Sequence, residues 1–96
     1  MVDDIEVQAV ILHKLFRKRK VGAAHMPRDV IKRDIGAWLA KREKDGKRVD
    51  ECINILIREG IILPKPTNYG LEISLNPKRS EEILERVRRF YPEGVL

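Results

Sequence analysis

The sequence predicts a small α+β domain, mainly α, in which three helices lead into a two-stranded β-hairpin and a closing helix. Three observations predict it. Apolar residues recur at steps of three and four through the first three segments and again near residue 87. Two short β-type runs, 61–65 and 71–75, flank the turn chemistry of Pro66, Thr67, Asn68, Tyr69 and Gly70. A helix-stopping glycine, Gly60, joins the third helical segment directly to the first of those runs.

Helix 1 is expected over residues 3–20, where Ile5, Ala9, Leu12 and Phe16 form a stripe widened by Val10 and Leu15. Asp3 and Asp4 suit its positive start, Lys18 to Lys20 suit its negative end, and Gly22 offers a stop. After a connector over 21–26, Pro27 suits the first position of helix 2. Val30, Ile31, Ile35, Trp38 and Leu39 carry that helix to about Lys44, with Gly36 weakening its middle by roughly 1 kcal/mol relative to alanine or breaking it. Asp45 and Gly46 signal the next turn.

Helix 3, about 47–59, has a one-sided stripe of Val49, Cys52, Ile53, Leu56 and Ile57 ending at Gly60. Its opposite face holds Lys47, Glu51, Asn54 and Arg58, flanked by Arg48 and Ile55. In the hairpin, Pro64 and Pro66 confine the first strand to a sheet edge. Asn76 is an N-cap with Pro77 behind it, Ile83, Leu84, Val87 and Phe90 face helix 4 inward, and Pro92 ends it.

Ninety-six residues suit one hydrophobic core, so a single domain spanning 1–96 is expected. The charged fraction of 36% exceeds the roughly 25% of ordinary domains, and one Gln, one Thr, two Ser and three Asn leave few neutral polar side chains. That balance resembles thermophile proteins, whose ion-pair networks replace thermolabile amides. The net charge of +5 favours an anionic partner, with the excess in the first half: 11 basic and 7 acidic residues over 1–46, against 9 and 8 over 47–96. A lone cysteine, Cys52, excludes an internal disulfide and points to a reducing, cytoplasmic setting. No apolar run approaches the about 20 residues that cross a bilayer, so no membrane role is expected.

The stretch from Lys47 to Pro66, with an amphipathic helix running into Arg58, Glu59, Gly60, Ile61 and Ile62, resembles the third helix and first wing strand of winged helix-turn-helix proteins. The order of elements extends the resemblance over about residues 4–91. It implies a three-helix core containing a helix-turn-helix, a hairpin wing and a C-terminal helix, in a DNA-binding protein that acts as a small transcriptional regulator of archaeal type. Helix 3 would enter the major groove of double-stranded DNA, with Lys47, Arg48, Asn54 and Arg58 as donors to the duplex; Asn pairs with adenine and Arg with guanine. Lys65 on the wing, and Lys41, Arg42 and Lys44 before the turn, would hold phosphates.

Several features keep a second reading open, a winged-helix protein-interaction module or subunit of a larger complex. Asp50 and Glu51 stand in the first turn of helix 3 and repel phosphate. Arg17 to Lys20 form either a phosphate patch or favourable charges at a helix end. Glu82 with Arg86, and Glu85 with Arg89, have the spacing of i,i+4 pairs. Val87, Phe90, Tyr91, Val95 and Leu96 would either pair two copies through the C-terminal helix or cap the monomer core. Catalysis is not expected: His13, His25 and Cys52 lack metal-ligand spacing or a nucleophile motif, and no metal or cofactor is implied. Trp38 reads as core, and five aromatics in 96 residues argue against stacking on single-stranded nucleic acid.

Overall fold

The computed structural model describes residues 2–43 and 47–92. Its elements are α1 (Asp4–Arg17), β1 (Met26–Pro27), α2 (Arg28–Ala40), α3 (Arg48–Arg58), β2 (Ile62–Thr67), β3 (Gly70–Leu75), a 3-10 turn (Pro77–Arg79) and α4 (Ser80–Arg88). The class is α+β, mainly helical. The expected turn at Asp45 and Gly46, and the apolar tail Val95 and Leu96, lie outside the described residues.

The helices form where apolar spacing demands, with shifts set by packing. In α1 the fully buried residues are Val7, Ile11, Leu12 and Leu15, whereas Ile5, expected in the stripe, is 54% exposed. The helix stops at Arg17, three residues before the expected end. Arg19 takes the left-handed conformation at φ 57°, and the Lys20 amide bonds back to the Leu15 carbonyl at 2.9 Å, closing a Schellman turn on arginine rather than glycine. Gly22 is used next, with φ 61°, to bring its amide to the Leu75 carbonyl at 2.9 Å.

Pro27 is the N-cap of α2 and the last residue of β1, not the first helical residue, because its extended ψ of 133° keeps it in the sheet. The helix runs unbroken through Gly36. Helix α3 ends as expected: Gly60 has φ 76°, its amide reaches Ile57 and the Ile61 amide reaches Leu56, both at 3.0 Å. Asn76 also caps as expected, accepting from the Lys78 amide at 3.0 Å, although the turn it caps is 3-10 before α4 begins at Ser80.

The sheet corrects the two-stranded expectation. Its order is β1-β3-β2, all antiparallel, because Met26 and Pro27 in the supposed connector pair with Ile73 and Glu72. Two residues are too short a run for any period to show in sequence. The hairpin closes with Thr67 opposite Gly70, so β2 and β3 are longer than expected and only Asn68 and Tyr69 remain as loop. Strand β2 lies at the edge, where Pro64 and Pro66, two residues apart, both turn their donor-less nitrogens away from the ladder.

One apolar cluster joins all these elements, drawing Leu12 and Leu15 from α1, Ile31 and Leu39 from α2, Ile53 and Leu56 from α3, Ile62 and Ile73 from the sheet, and Ile83 and Val87 from α4. Val87 is fully buried in it, and the Tyr91 ring stacks on His13 at 3.9 Å. Val87 therefore belongs to the monomer core, and Tyr91, half-buried, packs against it. Among the described residues no helix is long and apolar enough to cross a membrane.

Candidate nucleic-acid interface

Helix α3 buries Val49, Cys52, Ile53 and Leu56, which leaves Lys47, Glu51, Asn54 and Arg58 on its exposed face. This separation follows from the 3.6-residue period: positions 47, 51, 54 and 58 differ by steps of four, three and four. Arg58 has no hydrogen bond or ion pair among the described residues, so its guanidinium is available to a ligand.

The flanks of that face are built by other elements. On one side Asp50 receives Lys32 at 2.7 Å and Arg28 at 3.1 Å, both from α2. Lys32 chiefly, and Arg28 with it, hold the Asp50 carboxyl below its usual range against the opposing effect of burial. Of the acidic first turn, Asp50 thus sits in a cluster with one net positive charge, while Glu51 keeps its carboxylate exposed on the α3 face. Arg28 directly follows Pro27, which pairs with Glu72 of β3. Glu72 in turn faces Lys65 across the hairpin and bonds His25 beside β1. A chain of contacts therefore runs from α3 through the start of α2 to the exposed Lys65.

Other expected site residues are placed differently. Arg48 turns aside from the α3 face: its Nη1 donates to Glu43 at 2.7 Å and its other nitrogens to Asp4 at 2.9 and 2.5 Å. The side chain is 19% exposed, and the two carboxylates raise its pKa further. Arg48 ties the start of α1 to the residues after α2. Arg42 lies 4.2 Å over the Trp38 ring and donates to the Trp38 carbonyl at 2.8 Å, a cation–π cap at the end of α2. Lys41 is exposed at that same end, and Lys44 lies outside the described residues.

Sequence reasoning missed Arg28 and Lys32. Their four-residue spacing on α2 was visible, but the crossing that sets them against Asp50 was not. It also missed Tyr69, 99% exposed at the hairpin tip. A two-residue loop in Thr67-Asn68-Tyr69-Gly70 would have placed that ring in solvent.

A second feature lies on the other flank of α3. Ile5 and the half-buried Ile55 floor a groove of about 620 Å³ rimmed by Glu59, Glu82, Arg86 and Arg89. Arg86 binds Glu82 at 3.0 Å, the expected i,i+4 pair, and reaches Glu59 at 3.2 Å. Arg79 holds Glu82 from the other side, and is the main reason the Glu82 carboxyl sits below its usual range. Glu85 and Arg89 form no ion pair among the described residues.

Cys52, His13 and His25 are each held within the fold. Cys52 is 1% exposed, and burial pushes its thiol up to about 11, away from the reactive thiolate. His25 is engaged by Glu72 and His13 by the Tyr91 ring. Among the described residues no three His, Cys, Asp or Glu side chains gather as metal ligands. No family model matches this sequence, and neither curated proteins nor solved structures yield a match.

Proposed function

We propose that this chain is a winged-helix DNA-binding domain of a small transcriptional regulator, reading duplex DNA with α3 and gripping it with the β2–β3 hairpin. The observation that carries the reading is the exposed α3 face, where Asn54 and Arg58 stand with Lys47 and Glu51, and the contacts of Arg28, Asp50 and Glu72 link that helix to Lys65. An exposed helix of this kind fits the major groove, and a hairpin tied to the start of α2 suits the role of a wing.

In this reading Arg58 and Asn54 are the base-edge donors, suited to guanine and adenine. Lys47, Lys65, Arg28 and Lys32 hold phosphates, which positions the helix without carrying sequence information. Arg48 serves the fold, which places Asp4, Glu43 and the start of α3 in register.

The test is fluorescence anisotropy with a mixed-sequence duplex at several salt concentrations, using the wild-type chain and Asn54→Ala, Arg58→Ala and Lys65→Ala variants. Salt-sensitive binding weakened by Arg58→Ala and Lys65→Ala is expected. An absence of binding at low salt sinks the reading.

One observation favours a protein-interaction module as the second reading. The apolar floor of Ile5 and Ile55, within a rim of both charge signs, is the chemistry of a docking groove. That reading expects an Ile55→Asp substitution to abolish partner binding and Arg58→Ala to leave it intact.

A further inference from the structure

The hairpin tip carries an aromatic ring that the fold does not use. Tyr69 is 99% exposed, the second residue of the two-residue loop between β2 and β3. Tyr69 does not take a positive φ, so the turn accepts most residues at that place and does not itself call for a tyrosine.

The loop beneath the ring is held firmly. Thr67 Oγ1 donates to the Gly70 carbonyl at 2.7 Å and accepts from the Tyr69 amide at 3.2 Å. Pro64 and Pro66 fix φ at two of the six β2 residues, and β3 is itself the central strand of the sheet. The backbone beneath the ring is thus stiff, and binding has chiefly the ring's own rotamer to order.

We propose that the hairpin tip is a nucleobase-stacking site, in which the Tyr69 ring takes the face of a base left without a neighbour at a gap, bulge or frayed end of DNA. This rests on the DNA-binding reading above and extends it. Lys65 lies two residues up the same strand, roughly 7 Å from Thr67 along the backbone, where it reaches a phosphate flanking that base.

The chemistry selects this ligand over two others. Driving the ring fully between paired bases would bury the phenol hydroxyl without a sure partner, whereas stacking on an unpaired base leaves it in water. A protein-docking tip would surround the ring with apolar neighbours, but Thr67 and Asn68 are polar and Gly70 has no side chain. A single ring gives one stacked contact, sequence-tolerant because every base has a π-face.

The experiment compares an intact duplex with the same duplex carrying a two-nucleotide gap whose template bases include 2-aminopurine. Wild type, Tyr69→Phe, Tyr69→Ala and Arg58→Ala chains are titrated at low salt, reading anisotropy and 2-aminopurine fluorescence. Wild type and Tyr69→Phe should favour the gapped DNA by about tenfold and quench the probe. Tyr69→Ala should bind both DNAs alike, with intact-duplex affinity changed less than about twofold, and Arg58→Ala should weaken both while keeping the preference. Duplex binding with no wild-type preference, or a preference that survives Tyr69→Ala, overturns the stacking site alone. Failure to bind either DNA overturns it together with the DNA-binding reading.

Discussion

The salt dependence of duplex binding can be worked out from the placement of charge. The proposed phosphate contacts are four: Lys47, Lys65, Arg28 and Lys32. Neutralising about four phosphates gives a slope of about −3.6 in log affinity against log salt. Between about 50 and 200 mM salt the affinity should then fall by about 150-fold. Lys65→Ala removes one contact, which moves the slope to about −2.7 and the loss over the same range to about 40-fold. Arg48→Ala should leave the slope at its wild-type value, since that guanidinium is spent on Asp4 and Glu43. Anisotropy titrations at four salt concentrations, on chains shown to be folded by circular dichroism, measure all three slopes. A wild-type slope near zero, or a shift with Arg48→Ala as large as with Lys65→Ala, would refute the assignment of the binding face.

The remaining predictions concern the fold that holds this face. Gly60→Ala should destabilise by about 1 kcal/mol in urea unfolding, since only the positive φ opposes it and a β-carbon would meet Arg79 Nη1 at an ordinary 3.5 Å. Gly36→Ala should have the opposite sign, stabilising by about 1 kcal/mol, because a β-carbon there meets nothing within 4 Å. Hydrogen bonds from Arg48 above all hold the Glu43 carboxyl below its usual range, so the stability of that pair is present at neutral pH and lost as pH falls through the folded value. Arg48→Ala should therefore lower the unfolding midpoint at pH 7, with the difference from wild type closing on acidification; a difference unchanged by pH would contradict it. Cys52, its thiol raised to about 11 by burial, should resist alkylation at pH 8 in the native protein and react at once in denaturant.

Local rules written along the chain carried much of the architecture. The α3 stripe and its stop at Gly60, the edge placement forced by Pro64 and Pro66, and the cap at Asn76 all depend on neighbours within about four residues. The exposed face of Lys47, Asn54 and Arg58 was legible for the same reason, since it is what remains once the apolar stripe is buried.

What stayed hidden depends on partners distant in sequence. Met26 and Pro27 become a strand only because Ile73 and Glu72 arrive beside them. Arg48 lies beside the exposed face in the helical period, yet Asp4, 44 residues away, draws it aside. Asp50 read as a repulsive charge until the α2 crossing supplied Lys32 and Arg28. Val87 read equally as interface or core until the closing helix had a place to pack. The sequence by itself determined which segments form helices, where α3 stops, and which face of α3 is polar, because backbone hydrogen bonding and side-chain period act over a turn or two. Only the tertiary structure decided which charges remain available on that face, because an ion pair is set by distance in space, and α1, α2 and the sheet come within reach of α3 only when the common core forms.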